Sequence, residues 1–235
     1  MFTDIHSHVI WGVDDGVSSF EKAQQLLREC AADGIDRIVT TPHVTPGHSE
    51  FPEERYLRHL EDTRAWLRDN DIPITLHTGA EILYTSYTER FLSERRLRTL
   101  ADSGYMLVEF MPTDKYDRLR RAAAEIGNAG FTPVFAHVER YECLKKTDQI
   151  RELIDDFNVL IQVNAHTVTE KPSFFRRKFI YGLFEEDLVD FVGTDTHDMS
   201  SRHPNMKEAH ARLSEWLGSE KADALTGGNQ KMLFE

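Results

Sequence analysis

His6 and His8 stand one residue apart near the start of the chain, in D-I-H-S-H, and Asp195 and His197 repeat that spacing near its end, in D-T-H-D. Side chains on a strand alternate with period two, so each pair projects from one side of its strand. Between the pairs lie Asp14-Asp15-Gly16, Pro42-His43, Glu81, Glu109, His137-Val138-Glu139-Arg140 and Asn164-Ala165-His166. Imidazole suits zinc, iron and similar ions, and carboxylate suits manganese and magnesium. His6, His8, Asp15, His43, Glu81, Glu109, His137, Asp195 and His197 make nine candidate ligands. One ion accepts about four to six. The set is therefore too large for one ion and sufficient for two or three with shared carboxylates. Spacing alone does not decide between Asp14 and Asp15.

The elements that must position these groups follow from hydrophobic pattern. Short apolar runs at Phe2–His6, Arg37–Thr41, Ile74–Ala80, Tyr105–Glu109, Thr132–Ala136, Val159–Val163 and Leu188–Gly193 read as strands. Between them, helical spacing of apolar residues predicts helices over Ser18–Asp33, Pro52–Asn70, Tyr116–Ala129, Thr147–Phe157, Pro172–Glu186 and Pro204–Leu217. Ser18 and Glu21 form a capping-box pattern for the first of these. The second is expected to turn Leu57, Leu60, Ala65 and Leu67 inward. The alternation argues for a parallel sheet covered by helices. Seven units fit an α/β closed or distorted barrel, although pattern alone also admits an open doubly wound sheet. Each strand delivers a polar or ionisable group at its C-terminal end, the face on which β/α barrels carry their active sites. Buried strand ends gain no stability from unpaired charges, so this joint pattern calls for a functional reason.

Composition narrows the class. The chain has 235 residues, 40% hydrophobic and 29% charged, with no Pro/Gly/Ser linker, and reads as one domain spanning 1–235. Its net charge of −12 lacks the basic signature of a nucleic-acid binder. No apolar run approaches membrane-spanning length and no signal peptide is visible, so the expected location is the cytoplasm without membrane insertion. Cys30 falls on an apolar helical stripe and Cys143 in a loop of open role; neither has the context of a cysteine phosphatase.

The ordered set D-I-H-S-H, V-D-D-G, T-P-H, G-A-E-I, a strand-end Glu, A-H-V-E-R-Y and D-T-H-D resembles the PHP (polymerase and histidinol phosphatase) superfamily. Within it, the pattern is similar to the bacterial capsule or exopolysaccharide tyrosine phosphatases of the CpsB/YwqE type, from Asp4 to about Met206. The resemblance implies a distorted barrel of seven β/α units. It also implies three metal sites: His6, His8, Glu81 and Asp195; Glu81, Glu109 and His137; and Asp15, His43 and His197. Arg140 and Arg202 match the family's substrate-binding arginines. Asp15 stands where many superfamily members carry histidine, which favours manganese, with iron, zinc, cobalt and magnesium left open. The implied activity is hydrolysis of phosphotyrosine by metal-activated hydroxide, on a tyrosine-phosphorylated protein, typically a cognate bacterial tyrosine kinase controlling polysaccharide export.

Other readings stand beside these. A histidinol-phosphate or other small-molecule phosphoesterase would share the metals. An amidohydrolase also starts with HxH but commonly uses a bridging lysine, where this chain has Glu81 and Glu109. A metal-stabilised binding or scaffold domain is the non-enzyme reading. Arg140 and Arg202 could instead pair with Glu139 or Asp198. His166 could contact substrate, orient a ligand or make a structural bond. His77 reads as a core or ligand-orienting residue, and His48, His59, His203 and His210 as surface or loop residues. Phenolate leaves readily, with a pKa of about 10, so no general acid is assigned.

Overall fold

The computed structural model describes residues 1–48, 50–170 and 174–235, without the side chains of Phe174 and Phe175. The strands are β1 (Phe2–Ser7), β2 (Ile35–Thr40), β3 (His43–Val44), β4 (Thr75–His77), β5 (Glu81–Leu83), β6 (Tyr105–Glu109), β7 (Thr132–Phe135), β8 (Leu160–Asn164) and β9 (Phe191–Gly193). Every ladder between them is parallel. β2 and β3 are two parts of one crossing, as are β4 and β5, because β2 pairs with β4 while β3 pairs with β5. The seven crossings then pair in sequence order from β1 round to β9. Closure comes from a parallel bridge between Ser7 and Thr196, where His8 N donates to Thr196 O (2.9 Å) and Asp195 N to His6 O (2.8 Å). The curled parallel sheet is thus a distorted barrel of seven units, the architecture expected from the strand count.

Helices cover the outside: α1 (Phe20–Ala32), α2 (Glu53–Asp69), α3 (Thr88–Ser93), α4 (Tyr116–Asn128), α5 (Thr147–Phe157), α6 (Ala165–Thr169), α7 (Phe174–Glu185), α8 (Met206–Leu217) and α9 (Ser219–Asp223). Ile5, Val39, Leu107, Val134 and Phe191, from five strands around the ring, meet in one buried cluster. Strands on opposite sides can share a cluster only through the barrel interior, so this is the lumen. Leu233, from the C-terminal segment, packs into it, as does Leu100. The larger core lies between sheet and helices.

The structure corrects several expectations. The cap of α1 is Ser19, which accepts from Lys22 N at 3.4 Å, one residue later than the Ser18 pattern. The expected strand Ile74–Ala80 breaks after His77, and Glu81 opens β5 instead of following a strand. Gly79 sits in that break, where a Cβ would lie 2.7 Å from Val39 Cγ1. Leu57 is 37% exposed; the buried face of α2 is Tyr56, His59, Leu60, Thr63 and Leu67. His59 is therefore no surface residue: its ring stacks on Trp11 and its Nδ1 donates to Trp11 O at 2.8 Å. The start of the helix expected from Pro172 lies outside the described residues. Among the described residues, no helix is long and apolar enough to cross a membrane.

Candidate metal centre

All nine candidate ligands converge at the C-terminal ends of the strands. His6 Nε2 and His8 Nε2 lie 3.1 and 3.2 Å from Glu81 Oε2, and 3.4 and 3.6 Å from Asp195 Oδ1. His137 Nε2 lies 2.9 Å from Glu81 Oε1 and 3.8 Å from Glu109 Oε2. Asp15 Oδ1 lies 3.4 Å from His43 Nε2 and 3.5 Å from His197 Nε2. The sets are not separate. His43 Nδ1 also reaches Glu81 (3.1 Å) and Glu109 (3.0 Å), and His8 joins the cluster of Asp15, His43 and His197. Glu81, fully buried, sits at the centre, facing His6, His8, His43 and His137.

Close backbone approach makes the convergence physically feasible. A Cβ on Gly16 would fall 2.4 Å from His8 O, and one on Gly193 would fall 2.9 Å from His6 Cβ. His137 (φ +33°) and Asp195 (φ +55°) both turn out of their strands in the left-handed region. Such a conformation costs a non-glycine residue about 1–3 kcal/mol and gathers at functional sites.

Neutral and acidic groups behind the cluster fix the imidazoles. His8 Nδ1 faces Asp14 Oδ2 at 2.8 Å, and Asp14 also accepts from Gly16 N and His43 N. This distinguishes the two aspartates: Asp14 orients His8, and Asp15 faces the cluster. His197 Nδ1 donates to Asp195 O at 2.8 Å. His6 Nδ1 donates to Gln162 Oε1 (3.1 Å), which also accepts from His137 N (2.8 Å). Gln162 Nε2 donates to Asn164 Oδ1 (2.8 Å), and Asn164 Nδ2 donates to Asp195 Oδ2 (2.8 Å). β8 thus supplies an amide chain linking groups from three other strand ends. Sequence reasoning missed Gln162; its one available signal was a polar residue inside an apolar strand.

With every orienting bond made at Nδ1, His6, His8 and His197 leave Nε2 facing the cluster, and these buried atoms have no hydrogen-bond partner. Glu81 Oε2 and His43 Nδ1 are also unpartnered. Burial opposes charge on His6 and His8, but the facing carboxylates outweigh it and lift them to about 9 and about 10. Burial, with His8 nearby, drives His197 down to about 3. Orphaned imidazole nitrogens around carboxylates that attract positive charge are the donor set a group of divalent cations requires.

The arginines border this cluster. Arg140 donates to Asp195 Oδ2 at 2.6 Å, and Arg202 reaches Asp15 Oδ2 at 3.1 Å and Asp195 Oδ1 at 3.7 Å. Their guanidinium groups therefore pair with carboxylates of the cluster. Glu139 instead accepts from Asn164 N and Thr167 Oγ1, and Asp198 accepts from backbone N–H groups of its own loop, Arg202 N included. His166 faces the cavity that Arg140 and Arg202 line, and its ring meets that of His203 edge to face. His77 lies away from the cluster, against the Phe234 ring.

A model of the family described as Capsular polysaccharide synthesis, CpsB/CapC, matches residues 2–235. The tyrosine-protein phosphatase CpsB of Streptococcus pneumoniae is 35% identical, over 98% of this chain and 97% of its own. A solved structure from work on YwqE of Bacillus subtilis and CpsB of Streptococcus pneumoniae, described as metal-dependent tyrosine phosphatases, superposes with a TM-score of 0.88 at 26% identity, over 99% of this chain and 94% of that one. Histidinol phosphate phosphatase of Lactococcus lactis superposes at a TM-score of 0.57 and 15% identity, covering 97% of each chain, a likeness of fold. The chain belongs to the CpsB/CapC family of tyrosine-protein phosphatases.

Proposed function

We propose that the nine clustered side chains hold two to three divalent ions, manganese favoured, and that the chain uses them to hydrolyse phosphotyrosine on a protein. The observation that carries this reading is the set of buried, unpartnered Nε2 atoms of His6, His8 and His197 gathered around Glu81, Asp195 and Asp15. His6, His8, Glu81 and Asp195 would hold one ion. Glu81, Glu109 and His137 would hold a second, with His43 beside it. Asp15, His43 and His197 would hold a third. Bound, such ions supply an activated water and neutralise phosphoryl charge.

The chain's own groups account for the rest. Asp14, Gln162 and the Asp195 carbonyl hold His8, His6 and His197 in the Nδ1–H tautomer, keeping each Nε2 lone pair on the cluster. Arg140 and Arg202 present guanidinium N–H groups beside the cluster, and such forks match phosphoryl oxygens. Asp195 and Asp15 hold those forks in place before substrate arrives. Phenolate, the conjugate base of a group with a pKa of about 10, leaves without an assigned proton donor. The family's description as capsular polysaccharide synthesis supports a cognate tyrosine kinase of that system as the phosphoprotein.

The test is turnover after chelation and readdition of manganese, with a phosphotyrosine peptide and histidinol phosphate compared. Manganese-dependent release from the peptide, with little from histidinol phosphate, is the expected result. The reverse preference would overturn the substrate assignment, and metal-independent release would overturn the assignment of the ions.

A further inference from the structure

Glu170, at the end of α6, lines two cavities. One, of about 170 Å³, lies against Arg140, Asn164, His166, Arg176 and Arg202. The other, of about 670 Å³, is bordered by α6, α7 and α8, and Arg177, Tyr181, Arg212 and Trp216 line it. Arg176 and Arg177 are consecutive on α7, so their side chains diverge by about 100° and the helix borders both spaces. The two cavities thus meet at Glu170, the larger lying on the far side of it from Arg140 and Arg202.

The larger cavity has no part in cleaving a phosphate ester, yet it is built from interacting side chains. Tyr181 and Trp216 meet edge to face, with centroids 4.1 Å apart, and the Arg177 guanidinium lies 4.9 Å over the Tyr181 ring. Arg177, Arg212, Glu170, Glu185 and Glu215 border this aromatic floor, and none is in an ion pair among the described residues. A polypeptide offers both N–H donors and C=O acceptors, and it can meet unpaired groups of both signs. A small phosphate monoester, filling the smaller cavity, has nothing to place there.

A cavity of about 900 Å³ near β3 and α3 is larger, but most of its charges are already engaged, Glu50 and Arg95 excepted. There Arg98 pairs with Glu53, and Arg96 pairs with Glu94 at 2.9 Å and lies over the Phe91 ring. It shares no lining residue with the arginine cavity.

We infer that the Tyr181–Trp216 cavity binds the stretch of substrate polypeptide flanking the phosphotyrosine. Arg177 and Arg212 donate to it, Glu170 and Glu215 accept from it, and the aromatic pair supports one of its side chains. The inference rests on the phosphatase reading for the residue held in the smaller cavity.

The test uses the metal-loaded full chain and two non-hydrolysable probes. One is a nonapeptide with a central difluorophosphonomethyl-phenylalanine, and the other is that residue alone, capped at both ends. The peptide is expected to bind about tenfold more tightly than the capped residue. Arg177→Ala/Arg212→Ala changes two exposed side chains; it should remove most of that advantage and leave the capped residue's Kd unchanged. Equal affinity of the two probes for the unaltered chain would overturn the inference. So would equal weakening of both probes by the double variant, or loss of the peptide's advantage in Arg95→Ala, in the other cavity, instead. Turnover of the corresponding phosphotyrosine peptide is measured separately: an intact peptide advantage without turnover would sink the phosphatase reading and spare the cavity.

Discussion

The same seven strand crossings do opposite things along their length. Inside the barrel, Ile5, Val39, Leu107, Val134 and Phe191 meet in a dry cluster, with Leu233 packed among them. At the C-terminal end of the barrel, His6, His8, His43, Glu81 and His197 crowd together with nitrogen and oxygen atoms left unpartnered. The first region gains stability from burial. The second gives some of it up, through like charges, desolvated ionisable groups and two left-handed backbone turns. Stability and chemistry are thus separable by position along one set of strands, and substitutions in the two regions should have opposite signatures.

The largest effect belongs to the site. Asp195→Ala or His8→Ala should abolish turnover of a phosphotyrosine peptide, by about a thousandfold or more, because each removes a proposed ligand of the ions. The fold should persist, with thermal unfolding shifted by only a few degrees, since each change also relieves crowding in the cluster. Retained turnover in both variants would refute the site assignment.

Gln162→Leu cuts the amide chain behind the site. It removes the acceptor of His6 Nδ1 and of His137 N and the donor to Asn164. Loss of an orienting partner behind a metal ligand typically costs about 10–100-fold in metal affinity. Titration of the metal-free protein with manganese should show that loss. An unchanged manganese affinity would mean that Gln162 serves packing alone.

Phe191→Ala acts on the other region. The ring is fully buried in the lumen, and such truncations cost about 3–5 kcal/mol. Denaturant unfolding should register the loss, while activity per folded molecule changes little. A large fall in that activity with intact stability would erase the proposed separation.

Both regions were unequally legible in the sequence. The number of strand crossings and the site's residue types were readable because parallel crossings repeat one pattern, and metal ligands come from few residue types at strand ends. The break between β4 and β5 was hidden because Leu76, Ala80 and Ile82 continue an apolar run; the interruption depends on where Pro42 O accepts from Glu81 N across the sheet. Spacing left Asp14 and Asp15 open and the family resemblance favoured Asp15; the reason, Asp14 facing His8 Nδ1, is set by tertiary contact. Leu57 misled because helical spacing places it near Leu60, although α2 turns Tyr56 and His59 to the core. Leu233 as a lumen residue carried no local signal at all.

The smallest effect isolates a carboxylate outside the site. Asp190 precedes β9, away from the cluster, and accepts from Ile161 N at 2.8 Å. Burial without a cation raises its carboxyl from 3.8 to about 6. The folded state therefore holds this proton more tightly than the unfolded chain. Between those two values the folded state binds more protons, so this group's effect on stability worsens as pH rises and is fully present above about 6. A rise of that size corresponds at most to about 3 kcal/mol. Partial exposure of Asp190 to water reduces the expected cost to about 1–2 kcal/mol. Asp190→Asn keeps an oxygen for Ile161 N and removes the charge. It should stabilise the protein by that amount at pH 7 and by almost nothing near pH 4, measured as the difference between variant and parent in denaturant unfolding. A gain that stayed constant across this range would show that the Asp190 charge is already well solvated, and that unpaired charge is tolerated at both ends of the strands.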